Sequence, residues 1–224
     1  MQSYEVEVKS LLVSKEKADA LRSRIQGSDI AAKLVSTNRQ LNHYFVGGNL
    51  KNLAQVIAPF FSPEARLKFI DLVAKAKEFS LRTRDKDGTA FLVLKASMGD
   101  DTSANGVSRI EFEEKVSLSL DELDTFLLGA GFSYQAKWSR EREEYSYKGA
   151  TVCLDHNAGY GWLAEFEKVV GSEGELEPAR QSIHMLMQEC GVEELPQDRL
   201  ERMFAFYNAH WPEYYGTDKI FTIE

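Results

Sequence analysis

Several short segments of this chain carry charge on every second residue: Glu5/Glu7/Lys9, Arg82/Arg84, Arg109/Glu111/Glu113/Lys115, Arg140/Arg142 and Glu165/Glu167. A period of two is the side-chain period of a β-strand, so each set shares one strand face. Oxygen-only ligands select hard divalent cations, which fits Glu5, Glu7, Glu165 and Glu167, with Asp155 near them in sequence. Guanidinium forks match phosphate oxygens and lysine acts as a point charge, so Lys9, Arg82, Arg84, Lys95, Arg109, Arg140 and Arg142 are the candidate anion ligands. One such strand alone reads as a solvated outer face. Solvated faces mix Thr, Ser, Gln and Lys, whereas these segments are dominated by Glu and Arg. If the faces point inward, the buried charge needs compensation, and a metal-bound polyphosphate supplies it to both signs at once. Surface salt bridges are the alternative reading of the same residues.

The rest of the composition narrows the classes. With 224 residues, 43% of them hydrophobic, the chain suits one domain with a substantial core. A formal net charge of -8 disfavours nonspecific nucleic-acid binding, which relies on a basic surface. No apolar run approaches the roughly 20 residues of a bilayer span. The opening MQSYEVEVKS has no signal-peptide character, so a soluble, cytoplasmic protein without a membrane partner is expected. Cys153 and Cys190 lie far apart and read as buried thiols rather than a zinc or redox motif. His43, His156, His184 and His210 stand singly and form no metal-ligand spacing. Asp101, Glu143, Glu144 and the Glu173/Glu175/Glu177 cluster read as solvated loops or edges.

The elements that would position the charged sets are readable in order. Tyr4 to Leu12 alternates as a strand, and Ser14 caps a helical stretch with Ala18, Leu21 and Ile25 on one stripe. An extended run from about Ala31 to Val46 ends at Gly47-Gly48, and Ser62-Pro63-Glu64 starts a helix within an inserted helical segment. Asp85-Lys86-Asp87-Gly88 turns a hairpin between Phe79–Arg84 and Ala90–Ala96. Gly99 to Gly106 is loop-like, and Val107 to Ser117 is the next strand. Ser119 caps a short helix, Lys148-Gly149 turns a second hairpin, Tyr160 to Val170 is the last strand, and two helices follow between Glu175 and His210.

In its ordered motifs the chain resembles the CYTH, or triphosphate tunnel metalloenzyme, superfamily, whose hallmark is E-x-E-x-K on the first strand. Here it stands as Glu5-Val6-Glu7-Val8-Lys9, followed by Gln40-x-Asn42-x-Tyr44-Phe45, Leu81-Arg82-x-Arg84, Leu94-Lys95, Arg109-x-Glu111, Arg142-x-x-Tyr145, Leu154-Asp155 and Gly159-x-Gly161-x-x-x-Glu165-x-Glu167. The resemblance covers roughly residues 2 to 170. It implies an α+β fold: a closed eight-stranded antiparallel β-barrel, or tunnel, with helices packed outside. One domain over 1–224 is expected, with the C-terminal helices of 175–210 packed on the barrel.

The resemblance further implies one or two Mg²⁺ or Mn²⁺ ions held by Glu5, Glu7, Asp155, Glu165 and Glu167, and a triphosphate held by Lys9, Arg82, Arg84, Lys95, Arg109 and Arg142. Arg140 joins them by its in-phase spacing with Arg142, and Glu5, Glu7 and Lys9 form the catalytic set. The implied activity is metal-dependent hydrolysis of a triphosphate, inorganic or organic. A class IV adenylate cyclase and a thiamine triphosphatase share these motifs, and Trp138, Tyr145 and Trp162 could serve the thiamine rings or simply pack. A module that only holds polyphosphate or a nucleotide is the non-enzyme reading, and a monomer or homodimer remains open. Two features depart from the family pattern: Asn42 stands where many relatives have Asp, and the helical segment 49–77 is long.

Overall fold

The computed structural model describes residues 4–97 and 109–224. The expected loop at 99–106, Asp101 and the first residues of the strand expected from Val107 lie outside the described residues, as do the side chains of Arg109 and Glu111. The strands are β1 (Tyr4–Val13), β2 (Lys33–Gly47), β3 (Glu78–Lys86), β4 (Thr89–Ser97), β5 (Arg109–Lys115), β6 (Phe132–Tyr147), β7 (Ala150–Asn157) and β8 (Gly161–Val170). The helices are α1 (Lys15–Ser28), α2 (Leu50–Ile57), α3 (Pro63–Lys75), α4 (Leu120–Gly129), α5 (Leu176–Cys190) and α6 (Gln197–Tyr214). The strands form one eight-stranded sheet in the order β1-β8-β7-β6-β2-β3-β4-β5. Among the described residues no ladder joins β1 to β5, so hydrogen bonding does not establish the closed barrel implied by the resemblance.

The chain divides into two compact units, one of the described residues up to Arg39 with Trp138–Glu224, the other of the described residues within Gln40–Lys137. In the second, Asp87 (φ 50°) and Gly88 (φ 81°) give the β3–β4 hairpin the left-handed two-residue turn that Asp-Gly favours. The Ser62 side chain accepts from the Ala65 amide with Pro63 in the first turn of α3, and Ser119 and Glu122 form a capping box on α4. One face of β2–β5 presents Phe45, Leu81, Leu92, Leu94 and Phe112 to Leu53, Ile57, Phe69, Leu72, Leu123 and Leu127 of α2, α3 and α4. Each such side chain contributes about 1.5–3 kcal/mol on burial.

Into that apolar layer the sheet inserts one polar knot. Asp124 of α4 accepts from Thr83 Oγ1 at 2.6 Å and from Tyr134 Oη at 2.7 Å, and lies 2.6 Å from His43 Nδ1. His43 is therefore a packing histidine of the core.

In the first unit, Lys148 (φ 47°) and Gly149 (φ 73°) turn β6 into β7. Val8, Tyr145, Tyr147, Val152, Leu154, Ala164 and Phe166 on one sheet face meet Ala18, Leu21 and Ile25 of α1 and Ile183, Leu186 and Met187 of α5. Glu143 lies on this face too: Arg22 grips it at 2.9 Å and Tyr145 Oη donates to it at 2.7 Å, so it is a half-buried ion-pair partner and not the solvated edge expected. Cys153 and Cys190 are both buried thiols, as expected.

Trp138 stacks on Tyr207 of α6 with ring centroids 3.7 Å apart, and Trp162 stacks on His156 at 5.1 Å. Tyr145 is 1% exposed, so all three aromatics considered for ring binding are engaged in packing. The segment after α6 returns to the β7–β8 turn, where Phe221 N donates to Gly159 O at 2.9 Å. Among the described residues, no helix is long and apolar enough to cross a membrane.

Gly159 and Gly161 are needed for this close approach. Both have positive φ; a Cβ on Gly159 would meet the rings of Phe221 and Tyr207 within 2.9 Å, and one on Gly161 would lie 2.4 Å from the Val13 carbonyl oxygen. Gly161→Ala is expected to lose on the order of 1–3 kcal/mol, since backbone rather than a flexible side chain must give way. A denaturant midpoint unchanged from that of the wild type would refute this.

Candidate functional site

The registers decide which charges share a face. In β1 and β8, Glu7 lies opposite Glu167 and Lys9 opposite Glu165. In β7, Cys153 lies opposite Glu165 and Thr151 opposite Glu167. In β6, Arg142 lies opposite Asp155 and Glu144 opposite Cys153. Directly opposed residues point the same way, so Glu5, Glu7, Lys9, Arg140, Arg142, Glu144, Cys153, Asp155, Glu165 and Glu167 occupy the sheet face away from the α1/α5 core. The apolar half of each strand pins the register, and a slip by one residue would send every charge into that core.

The most buried part of this face is an ion-pair cluster. Asp155 is fully buried and accepts from Arg142 Nε at 2.7 Å, Arg142 Nη2 at 2.5 Å and Arg140 Nη1 at 3.2 Å. Arg142 also reaches Glu165, and Lys9 pairs with Glu7 and, at 3.5 Å, with Glu165. Burial pulls the Arg142 pKa down, yet Asp155 and Glu165 outweigh it, and the net shift is upward. Glu165 is the mirror case: burial raises its pKa, but Lys9, Arg142 and Arg140 together hold it well below the usual carboxylate range. Burial pushes the Cys153 thiol up to about 12, so it is a neutral packing group at physiological pH.

The other carboxylates are in a different state. Among the described residues, Glu5, Glu144 and Glu167 make no hydrogen bond or ion pair with a cationic side chain. Burial raises the Glu167 pKa, and the negative charges of Glu5 and Glu165 raise it further. The face therefore carries more negative charge than Lys9, Arg140 and Arg142 balance. Among the described residues no three acidic, histidine or cysteine side chains converge tightly enough to enclose a metal ion. Asp155, Glu165 and Glu7 are turned instead onto the arginines and Lys9.

The residue type nonetheless fits a hard divalent cation. Every donor is a carboxylate oxygen, and the carboxylates with unbalanced charge include Glu5 and Glu167, the two ends of the expected ligand set.

The second unit carries its own charged face. Tyr44 lies opposite Arg82 and Asn42 opposite Arg84. Arg82 in turn opposes Val93, and Lys95 opposes Glu111. Arg82 Nη1 donates to Tyr44 Oη at 2.6 Å, and the guanidinium lies 5.4 Å from the centre of that ring. Arg84, 7% exposed, donates from Nε to Asn42 Oδ1 at 2.8 Å and from Nη1 to Glu113 at 2.7 Å. Asn42, noted above as a departure from the family pattern, thus serves as a neutral acceptor that aims Arg84. Sequence reasoning missed Glu113 as that arginine's counter-ion and placed Glu144 on a solvated edge; the alternation of Glu144 with Arg142 and Arg140 was the available signal. Arg109 is placed in β5 by its backbone alone.

The model of the CYTH domain matches residues 3–199. No curated protein matches the chain. Among solved structures, a protein of Pyrococcus horikoshii is 20% identical with a TM-score of 0.59, covering 91% of this chain and 99% of its own. A second protein of that organism is 18% identical with a TM-score of 0.58, over 85% and 92% of the two chains. A Vibrio parahaemolyticus protein named as a candidate adenylate cyclase is 16% identical with a TM-score of 0.59, over 92% and 99%. At these identities the likeness speaks for the fold.

Proposed function

This chain belongs to the CYTH domain family, and we propose that it is a divalent-metal-dependent enzyme that hydrolyses a triphosphate. One observation carries the reading: a single sheet face gathers Glu5, Glu7, Glu165 and Glu167 with Lys9, Arg140 and Arg142, and among the described residues Glu5 and Glu167 make no ion pair there. The closed tunnel implied by the resemblance belongs to the same proposal.

Mg²⁺ or Mn²⁺, when bound, would supply charge neutralisation and an acidified water for in-line attack on the terminal phosphorus. The carboxylates of Glu5, Glu7, Asp155, Glu165 and Glu167 would hold that ion. Lys9, Arg140 and Arg142, paired with carboxylates in the structure, exchange those partners for phosphate oxygens, so neither sign is left stranded. In the tunnel implied by the resemblance, Arg82, Arg84, Lys95 and Arg109 would add donors to the phosphate chain and stabilise the spreading negative charge of the transition state. Tyr44 and Asn42 hold the planes of Arg82 and Arg84, which spares part of the ordering cost on binding.

The deciding assay offers tripolyphosphate, ATP and thiamine triphosphate with Mg²⁺ or Mn²⁺ and reads orthophosphate, pyrophosphate and cyclic AMP. Orthophosphate release supports hydrolysis. Cyclic AMP with pyrophosphate from ATP would replace it with the cyclase reading, which the name of the Vibrio structure raises. Absence of any turnover with retained triphosphate binding would leave a binding module. Arg82→Ala is expected to raise KM by roughly 10–150-fold, the equivalent of one charge-assisted contact of about 1.5–3 kcal/mol. Unchanged KM and kcat in this variant would remove Arg82 from the phosphate set.

A further inference from the structure

The family motif supplies no acidic residue from β6 to the cation, yet β6 carries one on the same face. Glu144 lies opposite Cys153, which lies opposite Glu165, so Glu144 is two strands from Glu165 in one row across the sheet. At about 4.8 Å per strand their backbones are roughly 10 Å apart, and two glutamate side chains leaning toward each other leave room for one cation and its water shell. The residue between them is Cys153, a buried free thiol.

Every other charged residue of β6 on this face is spoken for. Arg140 and Arg142 are bound to Asp155, while Glu144 is half-buried and has no hydrogen bond or ion pair among the described residues. Glu5, Glu144 and Glu167 are thus the carboxylates on which the unbalanced charge of the face is concentrated, contributed by β1, β6 and β8.

Resting on the metal-dependent reading above, we propose that Glu144 is a further ligand-side carboxylate, holding the divalent cation directly or through one of its waters. Such a role suits Mg²⁺ and Mn²⁺, which keep several waters and accept few protein oxygens. It also explains how β6 can present two arginines to phosphate without repelling the cation: Glu144, one step along the same strand face from Arg142, offsets their charge on the metal side.

The test measures Mn²⁺ alone binding to the full chain, by the loss of the free Mn²⁺ electron paramagnetic resonance signal, with no substrate present. Glu144→Gln is expected to weaken Mn²⁺ binding about tenfold or more, with Glu144→Asp between it and the wild type. Glu141→Gln, an exposed residue on the opposite face, is expected to leave binding unchanged. Should Glu144→Gln fail to fold, as read by thermal melting, Glu144→Asp carries the test. If Glu167→Gln weakens Mn²⁺ binding but neither Glu144 variant does, this inference falls and the metal-dependent reading stands. If the wild-type chain binds no Mn²⁺, both fall.

Discussion

Glu167→Gln is expected to lower metal-dependent turnover of tripolyphosphate by roughly 100-fold or more while leaving the melting temperature of the metal-free protein unchanged or higher. The two halves of this expectation come from the same electrostatics. Glu167 sits where burial, Glu5 and Glu165 all disfavour its charge, so its folded pKa is raised. A carboxyl whose folded pKa exceeds the unfolded value destabilises the fold at neutral pH, and the penalty shrinks as pH falls through the folded value and is gone below the unfolded one. Removing the charge relieves that penalty but takes away an oxygen donor the cation needs. A residue kept only for stability shows the opposite pattern, so turnover and melting measured together separate site from scaffold. Glu5→Ala tests the other unbalanced carboxylate by its loss of metal-dependent turnover. Full turnover in both variants would remove the cation from this face.

The faces of these strands were legible in the sequence because alternation has a physical cause. Val6, Val8 and Leu12 must reach the core, so Glu5, Glu7 and Lys9 have only the other face to occupy. The same holds for Arg82 and Arg84 against Leu81 and Thr83, and for Glu165 and Glu167 against Ala164 and Phe166. The turns were equally readable, since Asp87-Gly88 and Lys148-Gly149 need left-handed backbone that few residue pairs tolerate.

What alternation does not encode is which strand lies beside which. β1 pairs with β8, more than a hundred residues on in the chain, and only this pairing brings Glu7 level with Glu167 and Lys9 level with Glu165. Glu143 and Glu144 show the same limit at single-residue scale. Adjacent in sequence and both acidic, they point to opposite faces, where one meets Arg22 and the other joins the carboxylate face. Without the register of β6 on β7, nothing separates the two.

Asp124 carries the largest stability effect expected outside the charged faces. Its carboxylate, 3% exposed, accepts from Thr83 and Tyr134 and pairs with His43, tying α4 to β2, β3 and β6 beneath an otherwise apolar layer. Asp124→Ala strands these donors among Phe45, Leu81 and Leu123, and removing one partner from a buried charged network costs about 3–5 kcal/mol. For a chain of this length that corresponds to a fall of roughly 10 °C in melting temperature. Burial raises the Asp124 pKa, but hydrogen bonds from His43, Thr83 and Tyr134 outweigh it, and the net shift is downward. A depressed folded pKa means that the stabilisation is complete above the unfolded carboxyl value of about 4 and is lost as pH falls through the folded value. The gap in melting temperature between wild type and Asp124→Ala is therefore expected to hold steady from pH 8 to about pH 5 and to close below about pH 4. A gap that widened on acidification would mean that Asp124 is held protonated in the fold, and that the knot is built from neutral hydrogen bonds instead of a buried carboxylate.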